Sequence, residues 1–182
     1  MKIITKANLG SAFAGESQAH MRYQIYSQEA QKEGFPNVAR LFEAIAWAER
    51  VHAGNHLHCM RDLREIVTTV AETPFGLGDT TINLQFGIDG ETFEITEMYP
   101  AYIEVAQSQG ENEAIQSFNW AFQAEQIHAK MYQRAKSLVD RGKDIELGKV
   151  QICGRCGHTL EGDAPDKCPI CGAPKEMYKE FA

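Results

Sequence analysis

The stretch Leu41-Phe42-Glu43-Ala44-Ile45-Ala46-Trp47-Ala48-Glu49-Arg50-Val51-His52 begins as the apolar stripe of a buried helix and ends in a carboxylate and an imidazole. Leu41, Phe42, Ile45, Glu49, His52 and His56 follow one another at helical spacing, so the acid and the rings fall on the face that the hydrocarbon defines. A buried, unpaired carboxylate is too costly to keep ionised and must be neutralised, paired or bound to metal. Lysine and arginine are mostly absent from the stripe, which favours metal.

Outward from this segment the same anomaly recurs. Residues from about Thr5 to Glu33 read as one helix, with Leu9, Phe13, Glu16, Tyr23 and Ala30 on or near one stripe. Gly34-Phe35-Pro36-Asn37 is a stop-and-restart signal with Asn37 as N-cap, and the second helix is expected to reach about Arg64. Such a short connection makes the two an antiparallel pair. Between residues 66 and 90, Thr73-Pro74-Phe75-Gly76 and Gly78-Asp79 break any period, leaving room for one short helix around Thr81–Phe86. A connection this long suggests a crossover along a bundle. The third helix is expected from near Gly90 to Gln109. The fourth runs from Glu111 to about Arg141, with Phe118, Ala121, Phe122, Glu125, His128 and Tyr132 inward.

Glu125-Gln126-Ile127-His128 repeats the spacing of Glu49-Arg50-Val51-His52. Positions three apart on a helix face the same way, so each pair can grip one metal. One such pair is a weak signal. Two on separate helices, with inward glutamates on the other two, match the ligand pattern of ferritin-like di-iron and di-manganese carboxylate proteins. In the bland alternative these are surface acids and packed histidines, which needs four helices to mislead in concert. The third helix offers Glu91, Glu94 and Glu97. Glu94 and Glu97 share a face and are read as ligands. Glu91 falls at the expected helix start, where a carboxylate favours the macrodipole, and is read as a capping-region residue. His52 and His56 have the spacing of zinc helices, but Ala53 stands where a metalloprotease needs its acid. His56 and His58 are thus expected near the site or at the surface, His20 in solvent, and Cys59 as a small core residue or exposed thiol.

Cys153-Gly154-Arg155-Cys156 and Cys168-Pro169-Ile170-Cys171 are two knuckles separated by eleven residues. Together they make a tetrahedral sulfur cage that suits zinc or a single iron, and the spacing does not choose between them. Cys-Pro-x-Cys-Gly, the glycine after Cys156, and the closing aromatics Tyr178 and Phe181 look like a rubredoxin. A di-metal bundle also needs an electron source, which redox-silent zinc does not supply; iron is the expectation.

Of the 182 residues, 43% are hydrophobic and 24% charged, ordinary for a globular chain, and no run has the length of a membrane span or signal peptide. A cytoplasmic location is expected, and in a reducing compartment clustered cysteines read as metal ligands rather than disulfides. The formal charge of -7 lies mostly in residues 1–150, where buried carboxylates account for much of it, and no basic stripe suits nucleic acid.

Together these features resemble the rubrerythrin family over essentially the whole chain: Gly15-Glu16-Ser17, Glu49-Arg50-Val51-His52, Gly90-Glu91-Thr92 through Glu94-Ile95-Thr96-Glu97-Met98-Tyr99-Pro100, Glu125-Gln126-Ile127-His128 and the C-terminal knot. The resemblance implies a mainly α chain: a ferritin-like four-helix bundle with a long crossover over residues 1–146, then a small rubredoxin-like domain over 147–182. It implies a di-iron centre on Glu16, Glu49, His52, Glu94, Glu97, Glu125 and His128, with Glu49 and Glu125 bridging. One iron would exchange Glu97 for His52 on reduction. Tyr23 and Tyr102 would hydrogen-bond the ligands, and Cys153, Cys156, Cys168 and Cys171 would hold one further iron. The implied activity is reduction of hydrogen peroxide to water in oxidative-stress defence, with electrons from a donor redox protein or a pyridine-nucleotide-dependent reductase. Rival functions are ferroxidase or iron handling, and non-catalytic metal binding with zinc in the knot. No membrane partner is expected. Because a knot beyond the end of the fourth helix would lie roughly 24 Å along it from Glu125, a homodimer or larger even assembly is expected, each knot serving its partner's bundle.

Overall fold

The computed structural model describes residues 1–182. Helix α1 (Ile3–Lys32) and helix α2 (Pro36–Cys59) form the antiparallel hairpin that the Gly34–Pro36 break predicts, with Gly34 in the left-handed region at φ 87°. Pro36 opens α2, but Asn37 is not its cap. The first-turn N–H groups of Asn37 and Val38, which have no partner within the helix, donate to the Asp144 carboxylate at 2.8 and 3.2 Å, so a distant residue caps the helix. Residues 60–79 then cross the bundle without regular structure beyond one turn.

The third rod starts ten residues earlier than the glycines suggest. Asp79 accepts from the Ile82 N–H at 2.9 Å, and Glu33 accepts from Thr80, so the chain is helical from α3 (Thr80–Phe93) onward. A π-helical segment (Glu94–Met98) leads straight into α4 (Tyr99–Gln109), which ends at Gly110, φ 71°. Gly87 sits inside this rod because a Cβ there would lie 3.0 Å from the Tyr132 ring. Helix α5 (Asn112–Val139) completes the bundle.

Two apolar layers fill the interior. One gathers Tyr23, Tyr26, Phe42, Ile45, Leu84 and Tyr132; the other gathers Leu9, Ala12, Tyr99, Phe118 and Ala121. Between them along α1, α2 and α5 lie Glu16, Glu49 and Glu125, all at most 1% exposed.

The C-terminal segment is a three-stranded antiparallel sheet, β2 (Thr159–Glu161), β1 (Val150–Cys153) and β3 (Tyr178–Phe181) in that order. It does not project beyond α5. Val150, Ile152 and Phe181 join the first apolar layer, and Trp47 packs edge-on against Phe181 with Lys179 over both rings. Distance along α5 therefore misleads. The ten residues 140–149, at about 3.3 Å each when extended, span more than the roughly 24 Å of helix they retrace. The knot lies against its own bundle, and a second copy is not needed to bring it there.

Candidate metal centre

Glu16, Glu49, His52 and Glu125 present ligand atoms within 4.8 Å of one another, and so do Glu49, Glu91, Glu125 and His128. All six residues are buried, and Glu49 and Glu125 belong to both groups. His52 Nδ1 lies 2.9 Å from Glu49 Oε2 and 2.8 Å from Glu125 Oε1. On the other side His128 Nδ1 lies 2.6 Å from Glu125 Oε2 and 3.3 Å from Glu49 Oε1. The two rings are stacked 6.0 Å apart.

The polar atoms of this layer are close but not mutually satisfied. Glu16 Oε2, Glu49 Oε1, Glu91 Oε2, both Glu125 oxygens and His128 Nδ1 are buried without a hydrogen-bond partner. No lysine or arginine forms an ion pair with these acids. Several buried carboxylates with converging, orphaned lone pairs are costly unless cations complete them. In the metal-free layer burial, then the charges of Glu125 and Glu49, push the carboxyls of Glu16 and Glu91 well above their usual range. Burial, then Glu16 and Glu125, does the same to half-buried Glu94. Burial alone would lower both ligand-facing imidazoles, but Glu125 and Glu49 hold His52 and His128 above their ordinary value. Burial also works against Glu125 ionising, yet those two rings hold its carboxyl below the usual range.

The third rod corrects the sequence reading in two places. Glu91 is twelve positions into a helix, not at its start, and reaches the His128 group, while Glu97 is exposed. The cause is the π turn, which takes an extra residue per turn and so rotates Glu97 off the face that α spacing would give it. Glu94 stands beside the two groups. The tyrosine on the Glu16 side is Tyr99, whose hydroxyl donates to Glu16 Oε1. Tyr102 instead donates to Ser11 Oγ at 3.1 Å. Tyr23 donates to Glu91 Oε1 at 2.9 Å. His56, read as a near-site or surface residue, is fully buried and hydrogen-bonded to Tyr99; burial, then His52, lowers its pKa to about 3, leaving the ring neutral. His58 is exposed, His20 half-buried against the Ala46 carbonyl, and Cys59 half-buried.

In the knot, Cys153 Sγ lies 3.7 Å from Cys171 Sγ, and Cys156 Sγ 3.5 Å from Cys168 Sγ. These are far beyond a disulfide of about 2.05 Å. They approach the roughly 3.8 Å edge of a tetrahedron with metal–sulfur bonds of about 2.3 Å. Each knuckle closes on a left-handed glycine: the Gly157 N–H donates to Cys153 O and the Gly172 N–H to Cys168 O, both at 2.9 Å. Gly157 has a second reason to be glycine, since a Cβ would stand 1.9 Å from His52 Nε2. Two residues on, Thr159 Oγ1 lies 2.8 Å from His128 Nε2 and donates to Gly157 O. The knot therefore touches both ligand-bearing rings of its own bundle.

The family model described as Rubrerythrin matches residues 7–136, and one described as Rubrerythrin, rubredoxin-like domain matches residues 151–179. Rubrerythrin-2 of Clostridium acetobutylicum is 44% identical over 95% of this chain and 94% of its own. Nigerythrin of Nitratidesulfovibrio vulgaris is 35% identical over 97% and 86%. A structure of partially reduced nigerythrin superposes with a TM-score of 0.84 at 35% identity over the same shares. Donor set and relatives agree: a di-iron carboxylate–histidine site in the bundle and a four-cysteine rubredoxin-like iron site.

Proposed function

Because the chain belongs to the rubrerythrin family, we propose that it is a peroxidase that reduces hydrogen peroxide to water. The observation that carries this reading is the pair of buried four-residue groups sharing Glu49 and Glu125, with an iron–sulfur knot pressed against both histidines. When bound, the two bundle irons supply the two electrons that peroxide takes up, and the four-cysteine iron resupplies them singly.

In this reading Glu49 and Glu125 would hold both ions, Glu16 and His52 would complete one site, and Glu91 and His128 the other, with Glu94 beside them. Tyr99 and Tyr23 each fix one carboxylate oxygen, of Glu16 and Glu91 respectively, so these ligands keep their orientation as charge changes. The flanking apolar layers keep bulk water out of the polar layer. Gly157 lets the knot backbone meet His52 closely, and Thr159 ties it to His128, giving a short connected route between the domains. Electrons reach the knot from a donor redox protein or a pyridine-nucleotide-dependent reductase.

Anaerobic peroxide consumption by the iron-loaded protein with an excess of chemical reductant tests the reading. Rapid consumption is expected from the native chain, and Glu49→Ala should abolish it with loss of bundle iron. Equal consumption by both would refute the assignment.

A further inference from the structure

Ser117, His56 and Tyr99 form a hydrogen-bonded run ending on Glu16 that the reading above leaves without a role. Tyr99 donates to Glu16, His56 Nε2 lies 3.1 Å from the Tyr99 oxygen, and Ser117 Oγ lies 2.8 Å from His56 Nδ1. All four residues are buried. The His56 ring is wedged between Tyr99 and Phe118, with centroids 6.0 and 5.4 Å away, so it cannot swing aside. At the other end of the centre Tyr23 makes the matching bond to Glu91 with no imidazole behind it.

We propose that His56 and Ser117 are positioning residues that commit the single hydroxyl hydrogen of Tyr99 to Glu16. The direction of each link follows from the one before. A metal-bound Glu16 carries no proton and can only accept, so Tyr99 must give it its one hydrogen. The Tyr99 oxygen then accepts from His56 Nε2–H. A neutral imidazole has one N–H, so Nδ1 is left as an acceptor and takes the Ser117 hydroxyl. In the opposite tautomer Nε2 would compete with Glu16 for the tyrosine hydrogen. Ser117 anchors Nδ1 and holds the ring in line, and the donated Nε2–H polarises the Tyr99 O–H, strengthening its bond to the carboxylate. The two ends of the centre are thereby made unequal, with Glu16 held more firmly than Glu91.

This rests on the di-metal reading, and the test separates the two. Loading the ¹⁵N-labelled protein with zinc alone gives a diamagnetic centre in which NMR reads the His56 tautomer without any turnover. Hydrogen on Nε2 is expected in the native chain, and Ser117→Ala, which leaves Nδ1 without its donor, should shift the Nδ1 resonance while Nε2 keeps its hydrogen. In the iron-loaded protein His56→Leu should slow peroxide turnover roughly tenfold, the lower range for groups that orient metal ligands. Adding it to Tyr99→Phe should cost nothing further, because His56 acts through Tyr99. His56→Gln, whose amide can donate to the tyrosine oxygen, should recover most of the rate. Hydrogen on Nδ1 in the zinc-loaded native chain, or losses from His56→Leu and Tyr99→Phe that multiply, would overturn the proposal. Absent peroxide turnover in the native iron protein would instead refute the peroxidase reading and leave the zinc experiment to decide this one. Should His56→Leu not fold, the tautomer read in the native zinc-loaded chain carries the test.

Discussion

Replacing Glu91 by glutamine removes a charged oxygen from a buried layer that no basic side chain enters. Iron analysis should show bundle iron falling from two ions toward one in Glu91→Gln, while Glu97→Gln keeps both, because Glu97 is exposed. Equal retention in both variants would mean that Glu91 is not a ligand. Gly157→Ala should be damaging despite its small size. It forces a left-handed backbone on alanine, costing roughly 1–2 kcal/mol, and drives a methyl into His52. Slower reduction of the bundle iron by the knot, with the knot iron retained, is the expected kinetic result. Glu16, Glu49, Glu125 and the two histidines were legible because each interrupts an apolar stripe at a fixed offset. Glu91 and Tyr99 were not. Three acids and two tyrosines stand along one rod, and periodicity alone cannot tell which turn faces the site.

At the level of elements, that ambiguity traces to one cap and one turn. Asp79 followed by Thr80 is a helix start that places Glu91 in mid-helix. Gly87 and Gly90 obscured it, since glycine normally weakens a helix, and only the close approach of Tyr132 gives Gly87 its reason. The π turn that rotates Glu97 outward has no signature in the apolar pattern. The cap of α2 was equally hidden, because Asp144 lies more than 100 residues away in sequence from the amides it serves. Asp144→Ala should lower stability by roughly 1 kcal/mol, read as a shift in urea midpoint with little change in slope. No shift would show that water replaces the carboxylate without cost.

On the scale of the whole molecule, the metal-free protein should lose stability as pH rises. The folded-state pKa values of Glu16, Glu91 and Glu94 are raised by burial, so folding retains protons there. Their contribution is complete below the unfolded carboxylate value of about 4.3 and is lost as pH climbs through the folded values. His52 and His128, raised by neighbouring acids, act in the same direction from about 6.5 upward. Glu125 is lowered, so its opposite contribution disappears only in stronger acid. Melting temperature without metal should fall between pH 5 and 8, whereas iron binding, which needs deprotonated carboxylates and neutral imidazoles, should strengthen over that range. A metal-free melting temperature that rises with pH would count against the assigned shifts. The helical bundle and the knot were legible from sequence, but their docking was not, because the reach of residues 140–149 and the shared apolar layer depend on three-dimensional packing. That docking carries the central claim that electrons pass between the knot and the proposed peroxide-reducing centre it touches. Stopped-flow mixing of fully reduced, iron-loaded protein with peroxide, following the red absorption of the ferric four-cysteine site, tests it most directly. The red colour should form rapidly in the native chain and far more slowly in Glu125→Ala, whose knot is intact; equal rates in the two would contradict the account.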